Sequence, residues 1–382
     1  MRIAIVGGGW AGMAAAVRTV QAGHHVTVLE AARRLGGRAR AMPLTLPDGR
    51  EVMVDNGQHI LIGAYTESLR LMRVVGIDPD QALLRLPLAL TFPDGSGLAL
   101  PNWPAPWDAA AGILTARGWH WRDKLALLRA ASAWQRAGFA CDERQSVDQL
   151  CAGLTPTLRQ GFIEPLCISA LNTPMVQASA RVFLRVLRDA MFGTRGGSNL
   201  LLPRTDLGTL FPESAARWLT ARGASVRTGV RVGALQTDGT QWRLTTDERG
   251  NEANPAGAPF DRVVLATSAP HAAQILATSA QEATETVAQQ LHRWADQAQQ
   301  LTHEAIATVY AQALSAALHG TAPRSPPHAG APYPDGRWLR APMLALPSDA
   351  DAPAQFVFDR DAIAPTQPAT RLLSFVVSTS QG

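Results

Sequence analysis

The chain has 382 residues, about two and a half times the usual size of one domain, so two domains are expected. Apolar residues make up 46% and charged residues 17%, which excludes a disordered or fibrous chain and a polytopic membrane protein. The net charge of +4 comes from scattered arginines with no run dense enough to track a phosphate backbone, so nucleic acid is not expected as a partner.

Ile3-Ala4-Ile5-Val6 is a continuous apolar run of strand length, Gly7 to Gly12 makes a tight turn, and Met13 to Ala22 is an alanine-rich helix stopped at Gly23. Val26 to Leu29 is a second strand. Strand, glycine turn, helix and strand in this order predict a βαβ start on a parallel sheet, and the glycines argue against a signal peptide. From about Pro87 to Ser198 helical periodicity replaces strand runs, and five of the ten tryptophans fall there: Trp103, Trp107, Trp119, Trp121 and Trp134. Leu125, Leu128, Ala131 and Trp134 predict the apolar stripe of an amphipathic helix, with Lys124, Arg129 and Arg136 between them. Strand-like runs return at Ser225 to Leu235, Trp242 to Thr246 and Arg262 to Ala266. Gln281 to Gln300 reads as a polar-surfaced helix, and the proline-dense stretch from Thr321 to Arg337 reads as a loop.

The fold class expected is therefore α/β, a Rossmann-like nucleotide-binding domain with an inserted α+β substrate domain. The first domain spans 1–86 and 200–275, and the second 87–199 and 276–382. No apolar segment reaches the roughly 20 residues that span a bilayer. Cys141, Cys151 and Cys167 are odd in number with no C-x-x-C pair, which fits a reducing cytoplasm and writes neither a disulfide framework nor a zinc site. The histidines form no H-x-x-x-H pattern, so no metal is expected.

Gly7-x-Gly9-x-x-Gly12 opens the first helix directly after the first strand, where missing side chains let a pyrophosphate approach unpaired N–H groups. Glu30 ends the second strand, 18 residues after Gly12, placed to accept hydrogen bonds from ribose hydroxyls. After it comes the spacing E-x5-G-G-R, with Gly36, Gly37 and Arg38. A glycine pair followed by a guanidinium suits a second approach to the phosphates.

This pattern resembles the FAD-binding start of the flavin amine oxidase and phytoene desaturase superfamily, which implies FAD rather than NAD and puts Arg38 near the pyrophosphate. Val54-Asp55-Asn56-Gly57-Gln58-His59 resembles the segment beside the flavin ring, with Gly57 allowing close approach. Gly229-Val230-Arg231-Val232 resembles the strand whose valine main chain contacts adenine, which makes Val232 a backbone ligand. Val263 to Thr267 resembles the closing strand of that domain. Glu164 to Pro174, Ala178 to Asp189, Leu200 to Leu207, His303 to Tyr310 and Ala354 to Arg360 are similar to the squalene-associated FAD-dependent desaturase family, the hydroxysqualene dehydroxylases of bacterial hopanoid synthesis. In that family a final segment with a Gly-Asp pair returns to the FAD domain. Here the chain stops at Gly382, so the expectation is a site lacking its closing segment, with weak flavin binding that an extension restores.

The resemblance implies reductive removal of an allylic hydroxyl from a C30 isoprenoid alcohol, with FADH2 as reductant and squalene as product. Asp55, His59 and Glu164 are the candidates by motif position for the proton donor, and a scaffold role for each is equally open. A carotenoid or phytoene desaturase shares fold, cofactor and lipid substrate but runs the flavin oxidatively. A flavin amine oxidase fits less well, since many of those enzymes place a lysine near the flavin and the only lysine here is Lys124. A non-catalytic FAD-fold protein that presents lipid to a squalene-synthase-like partner enzyme is the reading from another class. The five tryptophans lie close in sequence to Arg117, Arg122, Lys124, Arg129 and Arg136, so peripheral contact with the inner face of the cell membrane is one expectation, and core filling by those tryptophans is the other.

Overall fold

In the computed structural model, residues 1–247, 259–312, 338–366 and 368–380 are described. The stretch expected to be a proline-dense loop, Thr321 to Arg337, lies outside them. Strands are numbered along the chain. β1 (Arg2–Val6), β2 (His25–Glu30), β10 (Ser225–Thr228) and β13 (Arg262–Leu265) form a parallel sheet in the order β10–β2–β1–β13. The apolar runs do not alternate because helices cover the sheet, and Ala4, Ile5 and Val28 are wholly buried. Between β1 and β2 runs the helix Trp10–Gln21, which buries Met13, Ala16 and Val17 completely. Met13 and Val17 alone contribute on the order of 1.5–3 kcal/mol each by leaving water. Gly23, at φ +81°, ends that turn.

A second, antiparallel sheet has the order β14–β17–β16–β15, from β14 (Ala305–Gln312), β15 (Met343–Ala345), β16 (Phe356–Asp359) and β17 (Leu372–Ser380). Its buried side chains Met343, Phe356, Phe358 and Val376 share one core with Leu98, Ile113, Leu127, Phe162 and Phe183 of the inserted region. The chain before and after the insertion is stitched together by β9 (Leu200–Pro203), which pairs with both β5 (Leu61–Ile62) and β6 (Leu83–Leu86). A two-stranded ribbon of β3 (Ala41–Thr45) and β4 (Glu51–Asp55) delivers Asp55 at its end.

Two sequence expectations are corrected here. The division at 275 falls inside the helix Ala269–Ala280, which packs with the helix Glu285–Gln299 through Ala273, Leu276, Leu291 and Ala295. Ile275 of the first helix shares a core with Val6, Leu29 and Leu235. Residues up to 299 thus sit with the parallel sheet, and the chain joins the second sheet only from Ala305. The helix expected around Leu125 spans Trp121–Arg136, but its buried face runs through Asp123, Leu127 and the partly buried Ala130 and Trp134. Leu125 points the other way and is exposed. A three-residue step drifts around the helix relative to its 3.6-residue turn, so Leu125 and Trp134 cannot share one stripe.

Candidate functional site: a dinucleotide cradle at the N-terminus of the first helix

The three glycines of the first turn have different physical reasons. Gly7 has φ +111°, and a Cβ there would lie 2.6 Å from the carbonyl oxygen of Ala266. At Gly12 a Cβ would lie 1.9 Å from the carbonyl oxygen of Gly7, so only glycine lets the helix pack this close to the strand end. Gly9 is the N-cap, in extended backbone at φ −73° and ψ 179°. A Cβ on it meets nothing nearer than the Gly37 Cα at 3.8 Å. The protein's own packing therefore demands glycine at 7 and 12 but not at 9. The space a side chain at 9 would fill lies at the start of the helix, where the first intrahelical bond runs from Met13 N–H to the Gly9 carbonyl. The N–H groups of Ala11 and Gly12 precede it and suit an anion.

The second glycine pair closes on the same place. Gly36 N–H donates to the Gly8 carbonyl at 3.0 Å, and Gly9 and Gly36 form an isolated parallel bridge. Gly37, at φ +62°, has its Cβ position 3.3 Å from the Gly9 Cα. Arg38 is exposed beside this pair, and among the described residues its guanidinium makes no hydrogen bond or ion pair. Glu30 accepts from Gly8 N–H at 2.6 Å through Oε2 and from Ala32 N–H at 2.7 Å through Oε1. A carboxylate has about four acceptor positions, so both oxygens keep capacity for ribose hydroxyls. Gly229 N–H donates to the Ala32 carbonyl and Val230 N–H to the Glu30 carbonyl, which runs the chain past Glu30. Val232 then opens β11 (Val232–Thr237), paired to β12 (Trp242–Thr246), with its side chain in the core beside Val6 and Leu29. Gly7, Gly9, Gly12, Glu30, Gly36, Gly37, Arg38 and Val232 thus surround one end of the parallel sheet.

The segment after β4 lies where the two sheets meet. Tyr310 O–H donates to the Asp55 carbonyl at 2.8 Å, and Gln58 N–H donates to Thr308 Oγ1 at 3.2 Å. Gln58 Oε1 accepts from both Arg360 and Ser374 at 3.2 Å. Gly57 is buried in ordinary backbone, and a Cβ there would meet His59 at 3.5 Å and Thr308 at 3.8 Å, so again protein packing does not require the glycine. His59 is exposed, with Nδ1 2.6 Å from the Gly57 carbonyl oxygen. Asp55 is buried, and its Oδ1 accepts from Leu207 N–H at 2.7 Å while Oδ2 has no partner among the described residues. Burial pushes its carboxyl up to about 6, against the lowering effects of the Leu207 bond and Arg360.

Glu164 is half-buried at the start of the helix Glu164–Leu171, and its carboxyl is raised by burial, with a Met175 bond opposing. Asp148 and Arg159, the charges near it, are an ion pair of the inserted region. Among the described residues no hydrogen bond links Glu164 to Asp55 or His59. The structure brings Asp55 and His59 together and leaves Glu164 in separate surroundings. Sequence reasoning missed Thr308, Tyr310, Arg360 and Ser374 as the groups that hold residues 55–58. The sole signal for them was that Tyr310 and Arg360 end two of the segments carrying the family resemblance.

A parallel sheet with a glycine-lined, carboxylate-tipped cradle, and an antiparallel sheet that holds the segment 55–58, fit an FAD-dependent oxidoreductase of mixed α/β fold. The family model for flavin containing amine oxidoreductase matches residues 10–311, and the chain belongs to that family. FAD is its cofactor, and the cradle fits it. A hydroxysqualene dehydroxylase of Sinorhizobium fredii is 25% identical over 272 residues, 70% of this chain and 62% of that protein's own length. A zeta-carotene desaturase of Synechocystis is 42% identical over 76 residues, 20% of this chain and 15% of that protein. An oxidoreductase from Methanosarcina mazei, of known structure, superposes with a TM-score of 0.65 at 15% identity, covering 100% of this chain and 80% of that one.

Proposed function

We propose that the protein removes the hydroxyl of hydroxysqualene reductively to give squalene. The observation that carries this is the extent of the dehydroxylase match: 272 residues is longer than the nucleotide-binding segments taken together, so it reaches into the inserted region. The desaturase match covers 76 residues, 20% of this chain, less than a third of the dehydroxylase match. Substrate choice belongs to the region outside the cradle.

Bound FAD, in its reduced form, supplies a hydride. In the substrate the allylic C–O bond breaks and a C–H bond forms, the hydroxide leaves as water after taking a proton, and the cofactor ends oxidised. The chain's part is to bind, orient and exclude water. When FAD binds, Gly9, Gly36 and Gly37 would receive the diphosphate, Glu30 the ribose, Arg38 the phosphate charge and the Val232 main chain the adenine. Gly57 leaves room beside the ring, and the bonds from Tyr310, Thr308 and Arg360 hold its segment still. Asp55, with one oxygen bound to Leu207 N–H, positions this segment. The test is anaerobic incubation of the flavin-loaded, chemically reduced protein with hydroxysqualene, followed by product analysis. Squalene formed in proportion to flavin oxidised supports the assignment. Flavin reduction during conversion of a carotene precursor, with no squalene from hydroxysqualene, overturns it in favour of a desaturase.

A further inference from the structure

The inserted region exposes an apolar and basic surface that nothing among the described residues covers. On the helix Trp107–Thr115 the buried residues are Asp108, Gly112 and Ile113, while Trp107 is 69% exposed and Leu114, two turns further along the same stripe, 45%. On the helix Trp121–Arg136, Trp121 is 73% exposed and Leu125, one turn on, 46%. Trp103, just ahead of the first helix, is 57% exposed. Lys124 joins the two helices at this surface: its Nζ donates to the Leu114 carbonyl at 2.7 Å and lies 5.6 Å from the centre of the Trp121 ring. Arg129 and Arg136 continue the stripe of Trp121 and Leu125 at i+4 and i+7 steps, and Arg117 and Arg122 flank it, all four exposed.

Charge sorting across this segment is complete. Between Trp103 and Cys141 the only carboxylates are Asp108 and Asp123, and both are buried. Asp123 is turned inward to bond His120 N–H at 2.8 Å and the Thr155 hydroxyl at 2.6 Å. The segment therefore shows water four exposed arginines and the half-buried Lys124 with no anion, up to the exposed Asp142 and Glu143 that follow it. An aromatic-rich apolar face whose own two helices expose cations and no carboxylate matches an interface that is apolar within and negative at its edge. A protein partner's core patch would more often be depleted of charge at this density.

We propose that this face, centred on Trp107, Trp121 and Leu125, docks on a lipid bilayer bearing anionic headgroups. The helices lie on the surface, since no helix among the described residues is long and apolar enough to cross a membrane. The proposal does not depend on the substrate assigned above. The test is flotation of the full flavin-loaded chain with phosphatidylcholine vesicles and with vesicles containing phosphatidylglycerol, at low and high salt. Three proteins are compared: the parent, Trp107→Ser with Trp121→Ser, and Arg129→Glu with Arg136→Glu. All four positions are exposed, and unchanged flavin absorbance and melting confirm that the variants fold. The expected result is flotation of the parent with anionic vesicles only, a blue shift of its tryptophan emission, and roughly tenfold or greater loss of partitioning in either variant. No flotation, flotation indifferent to lipid charge, or variants that float like the parent would each overturn it. A parent that self-associates through this face, loses that association in the tryptophan variant and never floats would mark a protein interface instead.

Discussion

Replacing Gly9 and Gly12 in parallel separates ligand space from packing space within one motif. In Gly12→Ala the new Cβ would begin 1.9 Å from the Gly7 carbonyl oxygen, well inside the 3.0 Å that real contacts respect, so helix and strand end must separate by about 1 Å. Backbone cannot rotate away as a side chain would, and overpacking of this kind costs about 3 kcal/mol or more. That is a large share of the stability of a typical folded protein. Gly9→Val meets no protein atom nearer than 3.8 Å from its Cβ, and its extended φ and ψ suit a β-branched residue. Its only expected effect on the flavin-free protein is a weaker N-cap, about 1 kcal/mol or less. Its branched carbons do occupy the approach to the helix N-terminus, so flavin affinity should fall by at least tenfold, which is about 1.4 kcal/mol. The assay is urea unfolding of the flavin-free proteins alongside flavin titration followed by absorbance. Gly9→Val that holds flavin as tightly as the parent, or that unfolds as easily as Gly12→Ala, would refute the division of roles.

Other outcomes follow from the same geometry. Glu30→Ala orphans Gly8 N–H and Ala32 N–H as well as the ribose contact, so both flavin affinity and stability should drop, each by about 1–3 kcal/mol, read by titration and urea unfolding. Arg38→Ala should leave the unfolding midpoint of the flavin-free protein in place, because its side chain has no described partner, while flavin binding weakens roughly tenfold and loses part of its salt dependence. Asp55 has a carboxyl raised to about 6 in the folded chain against an ordinary value of 3.8. The folded state therefore holds the extra proton, and Asp55 costs stability progressively as pH rises from about 4 to 6, reaching about 3 kcal/mol above that range. Asp55→Asn keeps an oxygen for Leu207 N–H without the charge, so its stability relative to the parent should climb across pH 4 to 6. A difference that stays flat with pH would contradict the buried, partnerless Oδ2.

The first strand, glycine turn, helix and second strand were legible because the signals that mark them lie within thirty residues: apolar runs set the strand, Gly23 ended the helix, and Glu30 followed at the end of β2. The spacing of Gly36 and Gly37 also stood in plain view, and the structure places them against Gly8 and Gly9. Why each glycine is glycine was not readable. Gly7 is constrained by Ala266, which arrives beside it only when β13 pairs with β1. Likewise nothing near Gln58 in the chain announces Arg360 or Ser374, whose hydrogen bonds hold the segment next to the cradle. The faces of the inserted helices were also a tertiary matter. Composition marked tryptophans and arginines together, but whether Trp121 and Leu125 point into the core depends on which side of the helix meets Thr155 and its neighbours. Periodicity limits which residues share a face, whereas the choice of the buried face belongs to surfaces brought together from distant parts of the chain.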